Sequence, residues 1–197
     1  IDAVKNCANV DMVILYPRNR ISEFQRRQMT TVDTSNVHAV AIDGNFDDCQ
    51  DLVKAMFNDR AFRNTHNLSA VNSINWARVM AQTVYYFTAI EKLDRQVSGR
   101  HVSFSVPTGN FGNVLAGWIA RQMGAPIRHL IVGSNSNDVL ARFFNTRMMT
   151  MSAVVPTLSP SMDIQVPSNF ERLLFEINHR DGGSTAEQLQ RFRARGE

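Results

Sequence analysis

The stretch that decides the fold is SVPTGNFGNVLAGWIARQMG, Ser105–Gly124. The apolar alternation of HVSFSV, His101–Val106, predicts a strand, and NVLAGWIARQMG predicts a helix closed by Gly124. Between them lie Gly109, Asn110, Phe111, Gly112 and Asn113, with no acid among them. Glycines tolerate positive φ and let a ligand approach the backbone. The open N–H groups of a first helical turn, with the positive end of the dipole, favour an anion there. Asn110 and Asn113 add side-chain amide donors without net charge. The spacing is neither Gly-x-x-x-x-Gly-Lys-Ser/Thr nor a full Gly-x-Gly-x-x-Gly, so neither a nucleoside triphosphate nor a dinucleotide is indicated. On spacing alone the loop reads equally well as a phosphate cradle and as a plain strand-to-helix turn.

An internal control exists, because Gly-Asn-Phe also occurs at Gly44. There Asp47 and Asp48 follow, and negative charge at the helix start repels a phosphate. Only the copy at Gly109 suits an anion.

Outward from this loop the chain alternates strands and helices. VILY, Val13–Tyr16, predicts a buried strand stopped by Pro17. Ser22 offers an N-cap, with Gln25 three residues on, for a polar helix to about Met29. VHAVAI, Val37–Ile42, predicts a second strand, and Phe46, Cys49, Val53 and Phe57 mark one face of the helix that follows. From Asn72 a long helix begins, capped by Asn72 or Ser73, with Trp76, Met80, Val84 and Phe87 as its expected core face. IRHLIVG from Ile127 predicts another strand, and Asn135 or Asn137 caps the helix in SNSNDVLARFF. Ser159–Asp163 reads as a turn, and Ser168 and Asn169 as a cap before FERLLFE. The polar break at Arg95–Arg100 divides two αβ lobes, residues 1–95 and 96–197.

Composition narrows the class. A chain of 197 residues, 44% of them hydrophobic, can bury a sizeable core. No apolar run approaches the roughly 20 residues that span a bilayer, and the first residues lack a signal-peptide pattern, so a cytoplasmic protein off the membrane is expected. Cys7 and Cys49 lie far apart, outside any metal-ligand spacing, and are expected as buried thiols. The histidines are dispersed, and no metal is expected. The net charge of +3 rests on 18 arginines against three lysines, scattered rather than striped. Nucleic acid is therefore not an expected partner, whereas anionic small molecules are.

VPTGNFGN, taken with NSINWAR (Asn72–Arg78), FDDCQDLVK (Phe46–Lys54), QMTT (Gln28–Thr31) and LSPSMDIQVPSNFERLL (Leu158–Leu174), closely resembles the threonine synthases of the bacterial and fungal type. These are pyridoxal-phosphate enzymes of the tryptophan-synthase-β-like fold. The resemblance runs over nearly the whole chain and implies an α/β fold, two three-layer αβα lobes of the fold type II class, present here as a partial pair. It implies pyridoxal 5'-phosphate as cofactor, its phosphate wrapped by Gly109, Asn110, Phe111, Gly112 and Asn113. Relatives often carry Asp where Asn113 stands.

The activity implied is that of a carbon–oxygen lyase, from O-phospho-L-homoserine and water to L-threonine and phosphate. Asn75 and Arg78, one turn apart, are then candidates for the substrate's phosphate in the cleft between lobes, against the plainer reading of a helix cap. The family's Schiff-base lysine matches none of Lys5, Lys54 and Lys92 and is expected upstream of Ile1. The chain thus reads as the middle of a longer enzyme, inactive alone. A catalytically inactive phosphate-binding or scaffold relative, or a related phospho-amino-acid lyase, is the alternative. Monomer and homodimer are both open.

Overall fold

A computed structural model of the chain describes residues 1–72, 75–97 and 99–196, without the side chains of 47 and 94–97. The candidate cap Ser73, the Asp47 carboxylate and much of the Arg95–Arg100 boundary segment lie outside the described residues. Two compact units form, Ile1–Ser69 and Ala70–Glu197.

The first unit runs β1 (Met12–Pro17), α1 (Glu23–Thr30), β2 (Val37–Ile42), α2 (Phe46–Asn58) and α3 (Arg60–Thr65). β1 and β2 pair in parallel, Met12 opposite Val37 and Pro17 opposite Ile42. Ser22 caps α1 as expected, its hydroxyl accepting from the Gln25 N–H at 3.2 Å. The short α3 is not legible as a hydrophobic period; Asp59 starts it by accepting from the Phe62 N–H at 3.0 Å. Asn36 ties down the segment before β1 by donating to the Val4, Cys7 and Val10 carbonyls. Cys49 is buried as expected, and burial, with the Asp48 carboxylate nearby, pushes its thiol pKa up. Cys7 corrects the other expectation. It is exposed, on turns that lie outside any helix or strand.

The second unit runs α4 (Trp76–Val97), β3 (Val102–Pro107), α5 (Gly112–Gln122), β4 (Ile127–Gly133), α6 (Val139–Thr146), a 3-10 turn (Pro160–Met162), α7 (Phe170–Ile177) and α8 (Gly182–Arg195). β3 and β4 pair in parallel, Val102 opposite Ile127 and Pro107 opposite Gly133. The α/β class is as expected, each unit carrying a two-stranded parallel sheet. Among the described residues no helix is long and apolar enough to cross a membrane.

The core of this unit gathers Val106, Leu115, Ala116, Ile127 and Val139 beneath α4 and α5. The face of α4 that enters it is Val79, Thr83 and Tyr86, not the expected one: Trp76, Met80 and Val84 are each more than half exposed. The helix is apolar on two sides, and the tie is broken by Gly117 of α5. A Cβ there would stand 2.6 Å from the Tyr86 ring, so only glycine admits that ring. The same packing holds α4 within the second compact unit, Ala70–Glu197.

Two outcomes test this packing. Gly117→Ala should lower unfolding stability by about 1–3 kcal/mol in a urea titration, as overpacking costs, despite alanine's helix propensity; an unchanged midpoint refutes the close approach. In the native protein a thiol reagent should label Cys7 readily, and Cys49 only upon unfolding; equal rates refute the burial of Cys49.

Candidate functional site

The loop between β3 and α5 is built from its backbone outward. Thr108 ends the strand by donating its N–H to the Gly133 carbonyl at 2.8 Å. Phe111 then takes a left-handed conformation, φ 63°, as the residue before α5. For a bulky side chain this costs on the order of 1–3 kcal/mol and persists only where surroundings enforce it. The enforcement is visible. The Phe111 ring is 2% exposed and packs edge-on to Phe170 at 5.4 Å between centroids, with Phe143 in turn 4.8 Å from Phe170.

The consequence is a helix start with no side-chain cap. Among the described residues, the N–H groups of Gly112, Asn113 and Val114 have no backbone acceptor, while Leu115 donates to Phe111 at 3.0 Å. Open donors at the positive end of an eleven-residue helix suit an anion with several acceptor oxygens. The Gly44 copy shows the contrast. There Asp48 accepts from the Asn45 N–H at 2.6 Å and Asn45 accepts from the Asp48 N–H at 3.1 Å, so the turn caps itself with its own acid. The two copies share a tripeptide and differ in what fills the helix start.

The asparagines serve differently from one another. Asn113 is turned to α4: its carbonyl oxygen Oδ1 accepts from the Tyr86 hydroxyl at 2.8 Å, and its Nδ2 donates to Gln82 at 3.3 Å. Burial pushes the Tyr86 pKa up to about 12, which keeps that hydroxyl a donor at physiological pH. Asn113 therefore offers the loop its N–H and not its amide. Asn110 faces a segment far along the chain, its Oδ1 accepting from the Ser168 hydroxyl at 3.2 Å and its backbone carbonyl from the Asn169 N–H at 3.1 Å. A Cβ on Gly109 would meet the Ser161 carbonyl at 2.8 Å, so the same segment closes the rear of the loop.

Asn75 and Arg78 separate into distinct tasks. Asn75 caps α4, its Oδ1 accepting from the Ala77 N–H at 2.9 Å while its Nδ2 donates to the Ala70 carbonyl at 2.5 Å. Arg78 is exposed and makes no ion pair with any acid among the described residues. Lys5 and Lys54 pair with Asp2 at 2.7 Å and Asp51 at 2.9 Å on exposed turns and helix, and Lys92 is exposed on α4.

Other residues depart from their expected roles. Asn135 and Asn137 do not cap α6, whose first position is preceded by Asp138. They instead join Asp163, Asn135 donating at 2.7 Å and Asn137 at 3.1 Å. Asn169 precedes α7 without a side-chain cap, its Oδ1 taken by the Arg172 guanidinium. The supports that sequence reading missed are Phe111 as a pin and Ser168 as the partner of Asn110. The only available signal was the crowding of Ser, Asn and Pro in SPSMDIQVPSN.

Comparison with known proteins places the chain among relatives. The chain is 54% identical over its full length to a threonine synthase of Pseudomonas aeruginosa, covering 42% of that protein. It is 49% identical over 170 residues to threonine synthase of Saccharomyces cerevisiae, covering 33% of it. Among solved structures, a pyridoxal-phosphate-bound threonine synthase from Brucella melitensis matches with a TM-score of 0.85 and 52% identity, over all of this chain and 42% of that one. The yeast enzyme matches at 0.82 and 42% identity. The chain thus spans about two fifths of the length of its first curated relative. With residues 5–193 matching the profile of the pyridoxal-phosphate dependent enzymes, and a loop whose open donors suit a phosphate, the chain belongs to that family, in its fold type II branch.

Proposed function

We propose that the full-length protein is a cytoplasmic threonine synthase that converts O-phospho-L-homoserine and water into L-threonine and phosphate. The observation that carries this reading is the uncapped, acid-free start of α5, in a chain more than half identical to a threonine synthase along its whole length. In this reading Gly109, Asn110, Phe111, Gly112 and Asn113 hold the phosphate of pyridoxal phosphate. The N–H groups of Gly112, Asn113 and Val114 donate to its oxygens, and the buried Phe111 ring holds them in place. Bound, the cofactor supplies an electron sink that eases proton loss from the carbons beside the substrate amino group.

Asn75 orients the first turn of α4 as its cap, and Arg78 presents a guanidinium fork to the substrate's phosphate. The imine-forming lysine is none of Lys5, Lys54 and Lys92, which stand on solvent-exposed turns and helices; it belongs to another part of the full-length protein. Because this part of the site carries no acid and binds through neutral donors, it serves anchoring, and proton transfer falls to groups elsewhere.

Incubated with pyridoxal phosphate and O-phospho-L-homoserine, the full-length protein should release threonine and inorganic phosphate in equal amounts. Release of neither leaves an inactive phosphate-binding relative, and phosphate without threonine indicates a related lyase. Asn110→Asp keeps an acceptor for Ser168 while adding a negative charge beside the phosphate. It should weaken cofactor affinity about tenfold or more, most strongly at low ionic strength; unchanged affinity removes the loop from the site.

A further inference from the structure

The first turn of α5 is fastened from behind. Its start has no side-chain cap, and among the described residues the N–H groups of Gly112, Asn113 and Val114 have no backbone acceptor. A helix end in that condition frays unless another contact fixes it. Tyr86 of α4 makes that contact. Its hydroxyl donates to both oxygens of Asn113, the second residue of α5, at 2.7 Å to the backbone carbonyl and 2.8 Å to Oδ1. One proton is shared between two acceptors, so the backbone and the amide of Asn113 are restrained together. The Asn113 Nδ2 adds a bond to Gln82, one turn earlier on α4, at 3.3 Å.

Tyr86 can act as a fixed point because its own ring is locked. The residue is 3% exposed, its ring lies edge-on to Phe104 of β3 at 4.8 Å, and it fills the space that Gly117 of α5 leaves free. It therefore touches the strand that enters the loop and the helix that leaves it. Burial, which pushes the hydroxyl up to about 12, keeps the donated proton in place through the physiological range. A buried tyrosine hydroxyl needs an acceptor. Here the acceptor is the residue whose own N–H stands among the open donors of the loop.

We propose that Tyr86 is a positioning residue for the cofactor, acting through Asn113: its hydroxyl holds the first turn of α5 in the geometry that offers the Gly112, Asn113 and Val114 N–H groups to the phosphate. This rests on the reading of the loop at 109–113 as the phosphate site. Tyr86 itself reaches no anion. It orders the donors before the cofactor arrives, so that the entropy of ordering them is lost on folding and not on binding.

The full-length apoprotein tests this, with cofactor dissociation constants from titration, residue-resolved amide exchange and unfolding midpoints measured together. Tyr86→Phe removes one oxygen and keeps the ring. It should weaken pyridoxal-phosphate binding about fivefold to tenfold, the scale of one net hydrogen bond. In the apoprotein it should also speed exchange of the Leu115 N–H, which closes the first turn on the Phe111 carbonyl at 3.0 Å, while the amides of β3 exchange as in the parent. Ile127→Val, a change in the same core with a comparable stability loss, should leave cofactor affinity at the parental value. Parental affinity in Tyr86→Phe overturns the proposal, as does an equal loss in Ile127→Val, or faster exchange spread evenly over β3 and α5. If instead cofactor binding to the parent gives the Gly112, Asn113 and Val114 amides no added protection, the loop reading itself fails, a result that does not involve Tyr86.

Discussion

The site depends on one constraint, the left-handed turn at Phe111. A residue of that size leaves the ordinary regions of backbone space only if something outweighs the strain, and here a ring buried against Phe170 does so. With that turn in place, α5 begins abruptly, and among the described residues its first N–H groups have no backbone acceptor and no side-chain cap. Hydrophobic packing behind the loop thereby creates an electrostatic feature in front of it. The aromatic cluster and the anion cradle are two sides of one residue.

The two Gly-Asn-Phe copies show how little sequence separates a cradle from a closed turn. Around Gly44 an aspartate returns to the helix start and satisfies it, forming a reciprocal cap with Asn45. At Gly109 the equivalent space holds no acid, and the backbone at Ser161 and Met162 closes the loop only from behind. Charge and backbone conformation, rather than glycine content, distinguish them. Asp163 also explains the polar residues packed after β4. A half-buried carboxylate taking bonds from Asn135, Asn137 and Thr157 is well compensated, and such a network holds a unique geometry where an apolar contact would allow sliding.

Much of this was legible from local pattern. Strands at Val37–Ile42 and before Pro107, the Ser22 cap and the loop at Gly109–Asn113 follow from alternation, turn chemistry and the absence of acids, all features within a few residues of each other. Reading failed where two local answers were equally good. The long helix α4 has apolar residues on two faces, and nothing within it says that Tyr86 rather than Met80 turns inward; the answer lies in Gly117, on another helix. Asn135 and Asn137 look like caps because asparagines before a helix usually are, and they were diverted by Asp163, more than twenty residues downstream.

By itself, then, the sequence determined the α/β alternation and the chemical character of the loop: glycines for approach, neutral donors, no competing charge. Those are short-range properties, set by neighbours along the chain. Tertiary structure alone decided that Phe111 is pinned, that Asn113 turns to Tyr86, and that the Asn110 amide faces Ser168 with its oxygen. Each depends on a partner brought near by folding, and an amide's two ends differ only in what stands opposite them.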